Sequence, residues 1–78
     1  MSEINVDLEL DVRELQCPMP LLKAKLALNN LDADQVLKVI ATDPGSEKDF
    51  HLFVAQSSHQ IIDFQKDSLS YQYWIRKG

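Results

Sequence analysis

The chain has one cysteine, two glycines and three prolines in 78 residues, and no surplus of basic charge. Each scarcity narrows the reading. A single thiol cannot close an intrachain disulfide, so packing alone must hold the fold, and a reducing cytoplasm suits such a chain. No apolar stretch approaches the roughly 18 residues that a membrane span requires. The opening "MSEINVDLEL" is acidic and alternating, without the basic start and apolar centre of a signal peptide. The formal net charge is −4, which lacks the electrostatic footprint that binding to a phosphate backbone demands, so direct nucleic-acid binding is disfavoured. The acids are concentrated early: Glu3, Asp7, Glu9, Asp11 and Glu14 stand against Arg13 alone within residues 1–16, whereas the segment from Lys66 is mildly basic. An acidic strand face of this kind is solvated and blunts edge-to-edge association.

What is present describes one compact soluble domain over residues 1–78, 45% hydrophobic and 26% charged. Ile4, Val6, Leu8, Leu10 and Val12 alternate with polar residues, the period of a half-buried strand. A helical segment follows from about Pro18 to Asn30, with Leu21, Ala24, Ala27, Leu28 and Leu31 on one arc and Asn29-Asn30 as a left-handed stop. Residues 35–42, "QVLKVIAT", read as a second strand. The Asp43-Pro44-Gly45 turn leads to a helix starting at Ser46, with Asp49 completing a short-armed capping box and Phe50, Phe53 and Val54 on its buried face. Two further strands, 60–66 and 69–76, meet at a turn on Asp67-Ser68. This β-α-β-α-β-β order fits an α+β, two-layer α/β sandwich with both helices on one face of the sheet and the other face open. If the first two strands are parallel, the crossover rule brings both helix starts to the same end of the sheet. Cys17 and the Asp43–Ser46 turn are then neighbours.

The lone cysteine stands in "LQCPMPLLK". A residue before proline is pushed toward extended geometry, so Pro18 places Cys17 just outside the helix, while Pro20 stiffens its first turn. A thiol there meets the positive end of the helix dipole, worth about 0.3–1 kcal/mol at an exposed terminus, or less than one pKa unit from a free value near 8.5. Asp43 opposes that effect if close. Arg13 and Lys23 are the basic candidates. The expectation is a presented, mildly activated thiol that relies on a partner for chemistry. With no second cysteine to resolve it, a persulfide on Cys17 persists until another molecule takes the sulfur. A buried, inert cysteine is the competing reading.

At these residues the chain resembles the TusA/SirA family of small sulfur-carrier proteins. The resemblance rests on "LDVRELQCPMPLLKAK", with Leu10-Asp11 ahead of the Cys17-Pro18-Met19-Pro20 core, and continues through "ATDPGSEKD" to "YQYWIRKG". It implies a mixed four-stranded sheet with two helices on one side. It also implies that Cys17 accepts sulfur as a persulfide from a cysteine desulfurase or rhodanese-like donor and relays it to an acceptor protein. Transfer RNA thiolation, cofactor biosynthesis and sulfur oxidation are the pathways implied, with no metal or organic cofactor. Such transfer is stoichiometric, so "enzyme" is a loose label. The chain departs from the family where glycine is common, at Glu14, near Asp34 and near His59, and where an Ile-Pro pair is common, at Phe50-His51. Its turns must then avoid positive φ or tolerate it at some strain. The ending Arg76-Lys77-Gly78 has one glycine and is no Gly-Gly thiocarboxylate tail.

Leu22 and Leu26 fall on the polar side of the first helix, either as a docking patch for the sulfur donor or acceptor or as the margin of the core. Site-shaping roles fall to Pro18, Pro20 and Asp43, and partner contacts to Arg13, Leu22, Lys23 and Leu26. His51 and His59 match no familiar metal spacing and read as surface histidines. Trp74 either marks the open sheet face as a contact surface or shields it. A chain of this kind is expected to be monomeric and cytoplasmic, without membrane or direct nucleic-acid partners. The readings that compete with the relay are a non-catalytic interaction or redox-regulatory module and, less favoured by charge, an RNA-binding module.

Overall fold

The alternating tract near the start forms a strand, but a shorter one than its period suggests. In a computed structural model of the chain, which describes residues 5–16 and 19–78, the first strand β1 is Leu8–Val12. Ile4 lies outside the described residues. Asp7 explains the late start. Its backbone N–H donates to Val36 O at 2.9 Å, but the Val36 N–H donates to the Asp7 carboxylate, 2.8 Å from Oδ2. A side chain has replaced the main-chain acceptor, and the regular ladder stops there.

The remaining elements are α1 (Met19–Asn29), β2 (Val36–Ala41), α2 (Gly45–Ala55), β3 (Gln60–Lys66) and β4 (Tyr71–Arg76). They build an α+β fold on one mixed four-stranded sheet ordered β1-β2-β4-β3. β1 and β2 are parallel, and β4 is antiparallel to both β2 and β3. β1, β2 and β3 therefore run the same way, and both helices start at the end where β1 and β2 finish. Val12 stands opposite Ala41 in the parallel ladder, so the loops leaving the two strands emerge side by side. That is the juxtaposition the crossover rule predicts.

Strand alternation decides which face is covered. Val12, Leu37, Val39, Ala41, Tyr73 and Ile75 meet Ala24, Ala27 and Leu28 of α1 and Phe50 and Val54 of α2 in one core. Each large apolar side chain removed from water there contributes about 1.5–3 kcal/mol, which matters in a domain small enough to bury only about 60% of its unfolded surface. Phe50 stacks on Tyr73 with ring centroids 4.5 Å apart, and Phe64 does so at 5.1 Å. Lys25 of α1 lies over the Phe53 ring of α2 at 5.2 Å, tying the helices together. On the open face Trp74 stands opposite Lys38, whose Nζ sits 5.2 Å from its ring, so the indole is partly covered by its own sheet.

Several local expectations are corrected. α1 does not end on a left-handed asparagine: the described residues with positive φ are Glu14 and Asp34. Its last turn tightens instead, Asn30 N–H donating to Ala27 O at 3.0 Å and Leu31 N–H to Leu28 O at 3.1 Å. No capping box opens α2. Pro44 occupies the N-cap with φ −59°, no side chain caps the turn, and Ser46 is buried inside the helix. β3 spans the expected residues, Gln60–Lys66, and holds both Ile61 and Phe64 against the core because a bulge between Ile61 and Asp63 shifts the register by one residue. β4 starts at Tyr71 rather than 69, because Asp67 Oδ1 accepts the N–H groups of Leu69 (2.7 Å) and Ser70 (2.8 Å) and keeps them out of the ladder.

Candidate functional site

The loop after β1 descends toward α1 under three constraints. Leu15 N–H donates to Val12 O at 3.2 Å, closing a turn on Arg13 and Glu14, and Glu14 takes φ 71° to make it. Glu14 N–H donates to Thr42 Oγ1 at 2.9 Å, fastening the loop to the end of β2. Past Gln16, Met19 N–H donates to Gln16 O at 2.9 Å, so the backbone on either side of positions 17 and 18 is joined. Cys17 and Pro18 themselves lie outside the described residues.

Glu14, Leu15 and Gln16 line one side of a shallow groove, and Thr42, Asp43 and Pro44 line the other. The expectation that Cys17 neighbours the Asp43–Ser46 turn falls on a residue outside the described ones; the residue before it, Gln16, lines the same groove as Asp43 and Pro44. On the Asp43 side, Asp43 O accepts the Ser46 N–H at 3.0 Å, holding the turn to the first residues of α2. Gly45 suits its position: a Cβ there would lie 3.2 Å from Asp43 Oδ2, tighter than ordinary packing.

Neither basic candidate is among the described residues that line that groove. Arg13 grips its neighbour Asp11, with Nε 3.0 Å from Oδ1 and Nη2 2.8 Å from Oδ2. Those hydrogen bonds, with a further one from the Arg13 backbone, hold the Asp11 carboxyl down at about 2. Arg13 lines an adjoining depression with Asp11, Glu14 and Thr42, its charge already engaged. Lys23 is exposed on α1, without an ion pair among the described residues. Pro20 is fully buried, so it anchors the first turn of α1 to the core as well as stiffening it.

Leu22 and Leu26 are 48% and 58% exposed, and Met19 is 40% exposed. Spaced at i, i+3 and i+7, they form one apolar stripe down α1, beginning where the cysteine segment enters the helix. Sequence reasoning found the two leucines and missed Met19, because helical projection was read from Leu21 onward. It also missed Thr42, which no composition or motif distinguishes from an ordinary strand end.

Among the described residues no group of three or more potential metal ligands occurs. His51 is exposed and donates from Nδ1 to Glu47 O at 2.7 Å. His59 accepts the Gly78 N–H on Nδ1 at 3.0 Å; burial, then the charge of Lys77, pushes its pKa below the ordinary histidine value. Gly78 is fixed against Ser58, whose carbonyl oxygen would lie 1.9 Å from a Cβ at that position, and Lys77 pairs with Gln35 and Asp34 through its backbone. Lys77 and Gly78 are thus hydrogen-bonded into the fold. No helix among the described residues is long and apolar enough to cross a membrane.

Comparison with known proteins places this geometry. The family model described as sulfurtransferase TusA matches residues 8–77. A sulfur carrier protein TusA of Allochromatium vinosum is 44% identical over 72 residues, covering 92% of this chain and 95% of that protein. The sulfur carrier protein TusA of Pseudomonas fluorescens SBW25 is 39% identical over 77 residues, covering 99% and 93%. Among solved structures, a SirA-like protein from Desulfitobacterium hafniense superimposes with a TM-score of 0.79 at 25% identity, over 91% of this chain and 97% of that one.

Proposed function

Since this chain belongs to the sulfurtransferase TusA family, we propose that it is a sulfur carrier whose Cys17 holds one sulfur atom as a persulfide between a donor protein and an acceptor protein. The observation that carries this reading is the loop geometry: the segment ending at Gln16 is hydrogen-bonded to Thr42, beside a groove open to solvent at the Asp43-Pro44 turn. The next residue in the chain is the only cysteine in the protein.

The chemistry is a pair of thiol exchanges. The Cys17 thiolate attacks the outer sulfur of a donor persulfide; a new sulfur–sulfur bond forms on Cys17, the donor's own bond breaks, and the donor cysteine leaves as a thiolate. An acceptor thiolate then attacks the outer sulfur on Cys17 and regenerates the starting thiolate. Electrons balance within each exchange, so no redox cofactor or metal is required. Pro18, Pro20 and Asp43 shape the approach to the sulfur. Arg13, Lys23 and the Leu22/Leu26 patch contact the partners, the exposed leucines supplying apolar area and the cations orientation.

The donor is a cysteine desulfurase or a rhodanese-like protein, and the acceptor serves transfer RNA thiolation, cofactor biosynthesis or sulfur oxidation. Residues 1–78 act as one monomeric carrier domain in the cytoplasm. Incubation with a cysteine desulfurase and L-cysteine, followed by intact-mass spectrometry, tests the reading: the protein gains the mass of one sulfur and the Cys17→Ser variant gains nothing. A mass unchanged both with the desulfurase and with a rhodanese-like donor carrying a persulfide refutes it.

A further inference from the structure

One polar contact interrupts an otherwise apolar interior. Ser46 is the only polar residue buried among the described residues, 2% exposed, and its Oγ lies 2.9 Å from the hydroxyl of Tyr73, itself wholly buried. No buried side-chain nitrogen or oxygen among the described residues is left unpaired. An alanine and a phenylalanine would fill nearly the same volume, and exchanging both partners of a buried hydrogen bond for apolar groups of like shape is close to neutral. Stability alone therefore does not account for the pair. What an apolar replacement cannot supply is direction, since a hydrogen bond fixes where the two elements meet and how they are turned.

The elements it joins bear on the sulfur site. Tyr73 belongs to β4 and is held by stacking on Phe50 and Phe64. Ser46 belongs to the first turn of α2, which has no side-chain cap to fix it. From Ser46 a chain of contacts runs outward: its N–H donates to Asp43 O at 3.0 Å, Asp43 follows Thr42, and Thr42 Oγ1 accepts the Glu14 N–H at 2.9 Å. Glu14 and Gln16 then form the wall of the groove opposite Asp43 and Pro44. We propose that Ser46 and Tyr73 are positioning residues for sulfur transfer: their buried hydrogen bond sets the α2 entry turn against β4, and through Asp43 and Thr42 sets the segment that presents Cys17. The proposal rests on the carrier reading above and adds to it a part of the core that touches neither sulfur nor partner.

Three variants test it: Tyr73→Phe, Ser46→Ala and the double variant Ser46→Ala/Tyr73→Phe. Urea midpoints, amide chemical shifts of Glu14, Leu15 and Gln16, and the rate of sulfur loading from L-cysteine against desulfurase concentration are read for each. The single variants leave one buried hydroxyl unpaired and lose stability, which the double variant largely recovers. Loading at saturating desulfurase falls in all three by about tenfold, part of the hundredfold that an ångström of misplacement can cost. The half-saturating desulfurase concentration stays unchanged, and the amides of residues 14–16 shift. A merely structural pair would give loading that follows stability and returns in the double variant; that result overturns the proposal, as do unmoved amides at 14–16. If the unaltered protein takes up no sulfur, the carrier reading fails and the positioning role fails with it, while the amide shifts still report whether the contact chain reaches Gln16.

Discussion

Replacing Glu14 with glycine removes a side chain from a residue held at φ 71°, in the left-handed region. For a residue with a Cβ that conformation costs about 1–2 kcal/mol, because Cβ crowds the following carbonyl oxygen. Glycine escapes the clash but gives up about 0.5–1 kcal/mol in extra unfolded-state freedom. The net expectation is a gain of roughly 0.5–1 kcal/mol, which in a domain of this size raises the melting temperature by about 3–6 °C. The hydrogen bond from the position-14 N–H to Thr42 uses only the backbone and survives the change. Glu14 also attracts Arg13 weakly at the surface, a contact in open solvent too screened to reverse the sign. Glu14→Ala separates the causes, since it discards the same charge while keeping Cβ. Urea unfolding with a common slope compares all three proteins. A glycine variant no more stable than the alanine variant refutes the strain argument. Asp34, at φ 70°, should gain less on change to glycine, because aspartate tolerates the left-handed region better than glutamate.

Other outcomes follow from the same structure. Leu28→Ala empties a site only 1% exposed and should cost about 2–5 kcal/mol by urea unfolding, a large fraction of a small domain's stability. The double change Leu22→Ser/Leu26→Ser trims two side chains that are about half exposed and should leave the chain folded, with a modest drop in melting temperature, while slowing sulfur transfer; global unfolding would instead place those leucines in the core. His59 favours its neutral form in the fold, its pKa lowered from 6.5 by burial and then by Lys77. The unfolded chain therefore takes up the proton first, and stability should fall as pH drops below about 6.5, levelling off below the folded pKa. His59→Gln should flatten that slope in melting curves recorded between about pH 7.5 and 5.

The fold was legible because its signals are periodic and mutually consistent. Alternation up to Val12, the apolar arc of Ala24, Ala27 and Leu28, and the β-branched run at 36–41 each name an element. The crossover rule then brings Thr42–Pro44 beside Glu14–Gln16 without reference to distance. Failures came where a side chain competes with the backbone. Asp7 takes the Val36 N–H and shortens β1; Asp67 takes two N–H groups and delays β4. Ser46 looked like a cap because hydroxyls favour that position, but with Pro44 as N-cap and Gly45 opening the helix it turns inward to Tyr73. The missing glycines at Glu14 and Asp34 left two outcomes open, and the turns adopted positive φ at both; near His59, among the described residues, they avoided it. Cys17 was singled out by its sequence setting and by the resemblance, and the described residues bring its chain neighbour Gln16 to the groove.

Cyanolysis tests the account at its centre, because cyanide removes the outer sulfur of a persulfide as thiocyanate and leaves an ordinary thiol. The protein is loaded by a desulfurase with L-cysteine, separated from the donor, and treated with cyanide. One thiocyanate per chain is expected, and none from Cys17→Ser. A loaded preparation that releases no thiocyanate, or a Cys17→Ser variant that releases as much as the unaltered protein, contradicts the carrier role of Cys17.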